Sequence, residues 1–181
     1  DLGRMIEFFF WGRGAVALSF AVMLRLKKLQ VCIVGSRRYQ ERFESVDGLE
    51  YIDFEDCQAM KRMRTENKSS FDCIIDAVGD KKTTEQCIEL LKENGKLCLY
   101  GMKDGNMYEY FRSGAGGRLL IYDESYSVKH AYEKIFGMIR KKQLCSEQWF
   151  DKMYDLENIQ KAIDDLENRK AMKVLLRFPS E

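Results

Sequence analysis

The feature that most constrains this chain is a short apolar run that ends in closely spaced small residues. Residues 6–11 read Ile-Glu-Phe-Phe-Phe-Trp and are followed by Gly12-Arg13-Gly14-Ala15-Val16-Ala17 and a long apolar stretch. In a turn from a strand into a helix, the first small residue permits a tight turn, and the second lets a ligand approach the backbone. The third lets the helix pack closely on the strand. The pattern therefore predicts a strand–turn–helix unit whose turn can hold a pyrophosphate group.

Beyond this turn, short apolar runs alternate with helical stretches through most of the chain. The run Val31–Gly35 contains the continuous sequence Val-Cys-Ile-Val, which suits a strand buried on both faces. Such alternation is typical of βαβ units joined into a parallel sheet. We therefore predict an α/β protein with a doubly wound, six-stranded parallel sheet (a Rossmann fold) and a short C-terminal βαβ tail. The nucleotide-binding domain is expected at 1–145 and the tail at 146–181.

The sequence also predicts where one of these helices begins and ends. Thr83 or Thr84 is a candidate cap at its start, because a threonine hydroxyl can accept a hydrogen bond from an amide of the first turn. The helix is expected to run to Glu93, with Asn94-Gly95 as a left-handed stop. The next strand is then predicted to begin after Gly95.

Two further stretches are apolar enough to be assigned as packed helices. The stretch from Ala15 to Leu24 is too short to span a bilayer, so a buried helix is expected. Val128–Lys142 has the period of an amphipathic helix, and we expect Ile135, Met138 and Ile139 to face inward.

The overall charge excludes a strong general attraction to polyanions. Thirty basic and 29 acidic residues leave a net charge of +1, so no global field favours nucleic acid or a membrane surface. The basic residues cluster locally at Lys61, Arg62, Arg64 and Lys68. We interpret this cluster as a solvated helix face.

The six cysteines are spaced too widely for a paired motif. Cys32, Cys73 and Cys98 fall inside apolar runs, where cysteine behaves as a small hydrophobic residue. This usage predicts reduced thiols and a cytoplasmic setting. Zinc ligation requires clustered cysteine and histidine, and His130 is the only histidine in the chain. A metal site made by this chain alone is therefore not expected.

The residues after the second predicted strand bear on which dinucleotide the turn would accept. NAD-selective sites usually place an acidic residue there, where it binds the ribose 2′-hydroxyl. This chain instead has Ser36, Arg37 and Arg38, with no carboxylate until Glu41. Serine can donate to a 2′-phosphate, and an arginine can pair with that phosphate and stack on the adenine. The sequence thus favours NADP(H), although a basic loop facing water would have the same composition.

Two more strand ends are expected to line the same crevice. Val78 and Gly79 follow the fourth predicted strand, and Tyr100 and Gly101 follow the fifth. In an open parallel sheet, ligands lie across the carboxyl ends of the strands. These residues are therefore candidates for contact with the second ribose and the nicotinamide, and each run can equally form a plain turn.

Together these segments resemble the medium-chain dehydrogenase/reductase superfamily, in particular its zinc-type alcohol and polyol dehydrogenases. The resemblance extends from about Ile6 to Phe178. Its most specific parts are the turn at 12–17, Phe71-Asp72-Cys73-Ile74-Ile75-Asp76-Ala77-Val78-Gly79, and Leu90-Leu91-Lys92-Glu93-Asn94-Gly95-Lys96-Leu97. The tail from Leu156 to Val174 is similar to the segment that returns into the family's catalytic domain.

The resemblance implies several roles for residues of this chain. Lys173 would approach the cofactor pyrophosphate, and main-chain groups near Tyr100–Met102 and Leu120–Tyr122 would hold the nicotinamide amide. It also implies a homodimer formed through the sixth strand, with Leu119, Leu120 and Ile121 at the paired edge.

The resemblance also implies what this stretch of sequence does not supply. The family's catalytic zinc and its Cys, His and Glu ligands belong to a preceding domain, so we expect the 181 residues alone to bind cofactor without turnover. Two positions depart from the family: Ala17 is the third small residue, and Asp123-Glu124 follows the sixth strand where small residues are commoner.

Two other function classes remain open at this point. An S-adenosylmethionine methyltransferase can carry a similar Leu-Leu-Lys-x-x-Gly-Lys segment, here residues 90–96. Such enzymes usually have an acid before the first glycines and another after the second strand, where this chain has Phe10-Trp11 and Ser36-Arg37. A non-catalytic module that senses nicotinamide redox state or supports a dimer would have the same sequence features as an isolated cofactor domain.

Overall fold

The structure is a computed structural model, and it describes residues 7–12, 14–101, 119–120 and 127–179, with only the backbone at 7–10 and 119–120. Its contacts divide the chain into two units, Asp1–Ile121 and Tyr122–Glu181, which are described separately below. This division falls before the boundary expected at 145/146. The expected boundary concerns a tail that returns to another domain, and it stays a prediction.

The first unit contains a parallel sheet whose strands lie in the order β3-β2-β1-β4-β5-β6. The strands are β1 Glu7–Trp11, β2 Gln30–Gly35, β3 Leu49–Asp53, β4 Phe71–Asp76, β5 Leu91–Leu99 and the two-residue β6 Leu119–Leu120. The α/β class is therefore confirmed. Strand β1 pairs with β2 on one side and with β4 on the other. The winding direction changes between β1 and β4, and this change opens a crevice at their carboxyl ends.

Helices connect these strands within the described residues of the first unit. They are α1 Ala15–Leu26, α2 Gln40–Glu44, α3 Cys57–Glu66 and α4 Lys81–Leu90, with a 3₁₀ turn at Arg37–Tyr39 before α2. Helix α3 begins after Asp56, whose carboxylate accepts from the amides of Gln58 and Ala59. Across the described parts of the chain, no helix is long and apolar enough to cross a membrane.

The two ends of α4 differ from the prediction. Asp80 caps the helix, and its carboxylate accepts from the Thr83 amide at 2.8 Å. The helix then ends at Leu90 rather than Glu93, and Leu91 already pairs with Phe71 in the sheet. The threonines are displaced as caps because Asp80 precedes them with extended backbone and an ionised acceptor.

The predicted left-handed stop at Asn94-Gly95 is also wrong. Positive φ occurs among the described glycines at Gly14, Gly48 and Gly79, and Gly95 is not one of them. Residues 92–95 instead form an irregularity within β5, since Leu91 pairs with Phe71 and Lys96 pairs with Cys73. Burial explains the difference: Leu91 is 3% exposed, and the sheet gains this leucine only if the helix stops before it.

The core of the first unit packs the sheet against the helices. Its buried cluster is apolar and comprises Cys32, Val34, Ile52, Met60, Met63, Phe71, Ile74, Cys87, Leu90, Leu91 and Leu97. All six cysteines of the chain are free. Burial is the main cause that raises the pKa of Cys73, to about 11, and it also raises the pKa of Cys32. These two thiols therefore stay protonated at neutral pH, as small hydrophobic side chains do in a core.

A fully buried carboxylate at the end of β4 connects the next segments of the chain. Asp76 is 0% exposed, and its Oδ1 accepts from the amides of Val78 and Gly79, both at 2.9 Å. Its Oδ2 accepts from the Thr84 hydroxyl at 2.6 Å. The carboxylate thus shapes the turn after β4 and anchors the start of α4.

The backbone of Asp76 also fixes the end of β5. Its carbonyl oxygen accepts from the amides of Tyr100 and Gly101 at 2.8 and 2.9 Å. A Cβ at Gly101 would lie 2.5 Å from the carbonyl carbon and oxygen of Ala77. Only glycine allows this close approach, so the ends of β4 and β5 are held together at the edge of the crevice.

The second unit contains the helix α5 Val128–Arg140 and a βαβ arrangement. Strands β7 Lys152–Asp155 and β8 Val174–Arg177 pair in parallel and are joined through a 3₁₀ turn at Leu156–Asn158 and the helix α6 Ile159–Glu167. The βαβ arrangement expected in the tail is therefore present. The expectation that Ile135 of α5 faces inward is wrong, because this side chain is 39% exposed, whereas Met138 and Ile139 are partly buried. Helical periodicity identifies an apolar face, but it does not identify what covers that face.

Asp165 of α6 joins the helix to the two-stranded sheet. Its carboxylate accepts from Lys152 Nζ at 2.7 Å and from the Tyr154 hydroxyl at 2.5 Å. Its carbonyl oxygen accepts from the amides of Lys170 and Ala171, which begin the path to β8. The pKa of Asp165 is lowered, chiefly by the hydrogen bond from Lys152 and then by that from Tyr154.

We predict that Asp165→Asn destabilises the protein at neutral pH and that its effect disappears in acid. Because folding lowers the Asp165 pKa, the charged form stabilises the fold above the unfolded pKa of about 4. That contribution is lost as the pH falls through the lower folded pKa. Thermal unfolding of both proteins, followed by circular dichroism from pH 7 to pH 2, measures the difference. Asp164→Asn is the control, since Asp164 is exposed and bonds only the Gln160 side chain through its carboxylate in the described contacts.

We also predict that Thr84→Val costs about 1–3 kcal/mol of unfolding free energy, because it removes a hydrogen bond to a buried carboxylate. Thr83→Val is the matched control. Thr83 is also buried, and its bond to Asp80 is made by the backbone amide, which the substitution keeps. Urea unfolding of the two variants measures both effects. Equal losses would show that the Thr84 hydroxyl contributes no more than general packing.

Candidate functional site

Gly12 and Gly14 lie between β1 and α1, as the small residues predicted, on either side of Arg13, which is outside the described residues. The amide of Gly12, which is buried, donates to the Val34 carbonyl at 3.0 Å and thereby holds the turn against β2. Gly14 precedes α1 with φ 156° and ψ −171°, a backbone conformation that favours glycine. A Cβ at Gly14 would meet nothing within 4 Å among the described residues.

The start of α1 is suited to an anion. Gly14 provides no side-chain cap, and the first turn of α1 contains no acidic residue, so neither of these described segments places a carboxylate at the positive end of the helix. Ala17 is 1% exposed and packs in the core, as expected for the third small residue. Ala15 is half-buried and Val16 is exposed, while Arg13 lies outside the described residues.

Close packing at the end of β2 places the following residues beside this turn. A Cβ at Gly35 would collide with the Tyr51 hydroxyl oxygen and would lie 3.2 Å from the Gly12 carbonyl oxygen. The Tyr51 hydroxyl donates to the Ser36 carbonyl at 2.8 Å. Burial is the main cause that raises the pKa of Tyr51, so this donor stays protonated at neutral pH. The absence of a side chain at Gly35 therefore allows the carboxyl ends of β1, β2 and β3 to pack closely together.

Arg37 and Arg38 follow in an exposed 3₁₀ turn, and the structure adds a carboxylate that sequence reasoning missed. Asp53 Oδ1 accepts from the Arg37 amide at 3.2 Å and from the Glu55 amide at 3.1 Å. The sheet order explains why Asp53 lies here, because β3 is beside β2 and Asp53 pairs with Gly35. The residues that directly follow β2 in the chain give no sign of this neighbour.

A cleft of about 770 Å³ lies beside these strand ends, between α3 and α4. Gly12 and Gly35 line it at the carboxyl ends of β1 and β2, and Val78 lines it after β4. Trp11 and Phe54 provide aromatic surface. The cleft therefore combines flat apolar walls with access to the backbone of the β1–α1 turn.

The cleft also has a basic side. Lys61 and Arg64 of α3 and Lys82 of α4 line it, and Asp80 is the acidic residue among its lining residues. The interpretation of the α3 cluster as a solvated face is therefore incomplete. Lys61 and Arg64 are exposed as expected, but they border a cleft. Arg62 borders a separate, smaller depression on the same unit.

The remaining predicted site residues belong to both units of the chain. Gly79 has φ 70°, as its turn requires, and its amide bonds Asp76. Tyr100 is 54% exposed and makes an edge contact with Phe20, with ring centroids 5.7 Å apart. Lys173 belongs to the second unit, where it is exposed and its amide donates to Asp151 Oδ2 at 3.1 Å.

The predicted nicotinamide contact at Tyr122 lies outside the described residues, and so does Ile121 of the expected dimer edge. Leu119 and Leu120 pair with β5 through Leu97 and Cys98. The homodimer stays a prediction. Among the described residues, no three His, Cys, Asp or Glu side chains are grouped so that they could hold a metal ion.

Comparison with known proteins gives consistent matches. Residues 49–174 match a family model described as zinc-binding dehydrogenase. D-arabinitol dehydrogenase 1 from Uromyces fabae is 20% identical over 179 residues, covering 92% of this chain and 50% of that protein. The chain thus spans about half the length of the curated relative that it matches.

Solved structures agree in fold. Alcohol dehydrogenase from Thermus sp. ATN1 superposes with a TM-score of 0.78 at 19% identity, covering 96% of this chain and 52% of that one. 2R,3R-butanediol dehydrogenase from Bacillus subtilis gives a TM-score of 0.75 at 16% identity, covering 99% and 52%. At these identities the superpositions show the fold alone, whereas the family model spans more than half of the chain. The chain therefore belongs to the zinc-binding dehydrogenase family.

Proposed function

We propose that this chain is the NADP(H)-binding part of a dehydrogenase that transfers hydride between the nicotinamide and an alcohol or carbonyl substrate. The observation that carries the proposal is the uncapped start of α1 after Gly14, in the same unit as the cleft that Gly12 lines. A pyrophosphate needs an uncapped helix start with backbone close by, and an adenosine needs flat apolar walls. Both features support a dinucleotide site in this unit.

In this proposal each segment of the site binds one part of the dinucleotide. The backbone of residues 13–16 binds the pyrophosphate at the positive end of α1. The cleft beside Trp11 and Phe54 takes the adenosine. Tyr100 and Gly101, together with Tyr122, orient the nicotinamide, and Lys173 approaches the pyrophosphate. The nicotinamide, when bound, supplies the hydride donor or acceptor at its C4 atom.

The preference for NADP(H) rests on the end of β2. Ser36, Arg37 and Arg38 offer donors and positive charge where NAD-selective sites usually have a carboxylate. Asp53 is close to the Arg37 amide and opposes a phosphate there. Its Oδ1 accepts from the amides of Arg37 and Glu55. The two arginine charges beside this one carboxylate leave a net positive charge at the end of β2, and NADP(H) is therefore the proposed cofactor.

Catalysis would require groups beyond this chain. The zinc ligands and the substrate-binding residues are proposed to lie on a preceding domain, consistent with the half-length match to the curated relative. A homodimer through Leu119, Leu120 and Ile121 and a cytoplasmic setting remain part of the proposal. Without those groups, the 181-residue chain should bind cofactor without turning over.

The first test is a fluorescence titration of the protein with NADPH and with NADH. We predict tighter binding of NADPH. We also expect Arg37→Ala to weaken NADPH by about 1–3 kcal/mol, the range for a lost charged hydrogen bond, and to leave NADH nearly unchanged. Undetectable binding of both cofactors would exclude the proposed function. Equal affinities would retain a dinucleotide site and exclude the NADP(H) preference.

A second test concerns the turn itself. Gly14→Ala should cost about 1–3 kcal/mol of unfolding free energy through backbone strain, although its Cβ has open space. It should also weaken NADPH and NADH by the same factor, because the pyrophosphate is common to both. Gly137→Ala is the matched control. A Cβ at Gly137 would also meet nothing within 4 Å, but this glycine is helical, so alanine should stabilise the protein by about 0.5–1 kcal/mol.

A further inference from the structure

Helix α3 directs two cations to the cleft. Lys61 and Arg64 are three residues apart, so they lie on the same side of the helix, and both line the cleft. Lys82 borders the same cleft from the first turn of α4. Two elements thus contribute positive charge to one side of the cleft.

The described residues provide little to neutralise these cations. Ion pairs in the described part of the chain join Lys92 to Asp72, Lys152 to Asp165 and Arg177 to Asp155, and none involves a cation of the cleft. Asp80 is the acidic lining residue, and its carboxylate already accepts from the Thr83 amide. Three cations against one engaged carboxylate make this side of the cleft favourable for an anion.

Arg37 and Arg38 are not among the residues that line this cleft. The backbone of Arg37 is tied to the Asp53 carboxylate, which places negative charge on that side of the β2 end. Gly35, the last residue of β2, does line the cleft. A phosphate carried by a ribose at this strand end therefore encounters less opposing charge toward α3 than toward Asp53.

We propose that Lys61 and Arg64 hold the 2′-phosphate of an adenosine bound in the cleft, in addition to the contact proposed for Arg37 at the end of β2, and so contribute to the choice of NADP(H) over NAD(H). The proposal rests on the dinucleotide site described above. Arg64 can bind a phosphate monoester through two parallel N–H groups, and Lys61 adds a point charge one turn away. The two side chains are specificity residues, because they contact the part of the cofactor that distinguishes the two forms.

The experiment compares NADPH and NADH affinities of the wild-type protein with those of Arg64→Ala, Lys61→Ala and Arg62→Ala. Arg62 is the matched control, because it lies on the same helix and borders a separate depression. We expect Arg64→Ala to weaken NADPH about tenfold or more and NADH less than about twofold. Arg62→Ala should change neither affinity. Arg64→Lys should restore part of the loss, since it keeps the charge and not the paired donors.

Competition with adenosine fragments identifies the group that is recognised. Adenosine 2′,5′-bisphosphate should displace NADPH from the wild-type protein better than adenosine 5′-monophosphate does, and Arg64→Ala should remove that advantage. The advantage should also shrink with added salt, as expected for a charge contact at a solvated cleft.

The outcomes separate this inference from the function on which it rests. If NADPH binds well and Arg64→Ala leaves its affinity unchanged, the inference is wrong and the cofactor site stands. If Arg64→Ala weakens both cofactors equally, Arg64 acts on a shared part of the ligand and the specificity role is excluded. If the wild-type protein binds neither cofactor, both the proposed function and this inference fail.

Discussion

The buried carboxylate of Asp76 is the constraint on which the candidate site depends. It terminates β4, forms the turn through residues 78 and 79, and holds the Thr84 hydroxyl of α4, while the backbone carbonyl of the same residue binds the end of β5. The Ala77 amide in turn donates to the Trp11 carbonyl, which ties this turn to β1. One side of the cleft is therefore positioned by hydrogen bonds rather than by apolar packing alone, and such bonds fix direction more strictly.

The opposite edge relies on close backbone packing. A Cβ at Gly35 would collide with the Tyr51 hydroxyl and would lie 3.2 Å from the Gly12 carbonyl oxygen. The Tyr51 hydroxyl also connects β3 to Ser36, the residue after β2. Hydrogen bonds position one edge and close backbone packing positions the other, and both concern the carboxyl ends of the parallel strands. The turn after β1 lies between the two edges, because β1 is the strand between β2 and β4.

Local patterns in the sequence were sufficient for the α/β class and for a strand such as β2. A continuous apolar run such as Val31–Val34 needs both faces of a sheet covered, and the small residues at 12, 14 and 17 gain meaning from their place between a strand and a helix. The end of α4 was not predictable in the same way. Asn94-Gly95 is a good local stop, but burial of Leu91 against Phe71 comes from strands distant in sequence and outweighs it.

The positions of the charged residues show more clearly what local sequence patterns do not predict. Asp53 and Arg37 are 16 residues apart and meet only because β2 and β3 are neighbours, so a search along the chain after β2 overlooks the carboxylate. The basic residues of α3 have equivalent local sequence contexts, yet the fold directs Lys61 and Arg64 to the large cleft and Arg62 to another depression. Composition gives the charge of a helix, whereas sheet order decides which of its charges can meet a ligand.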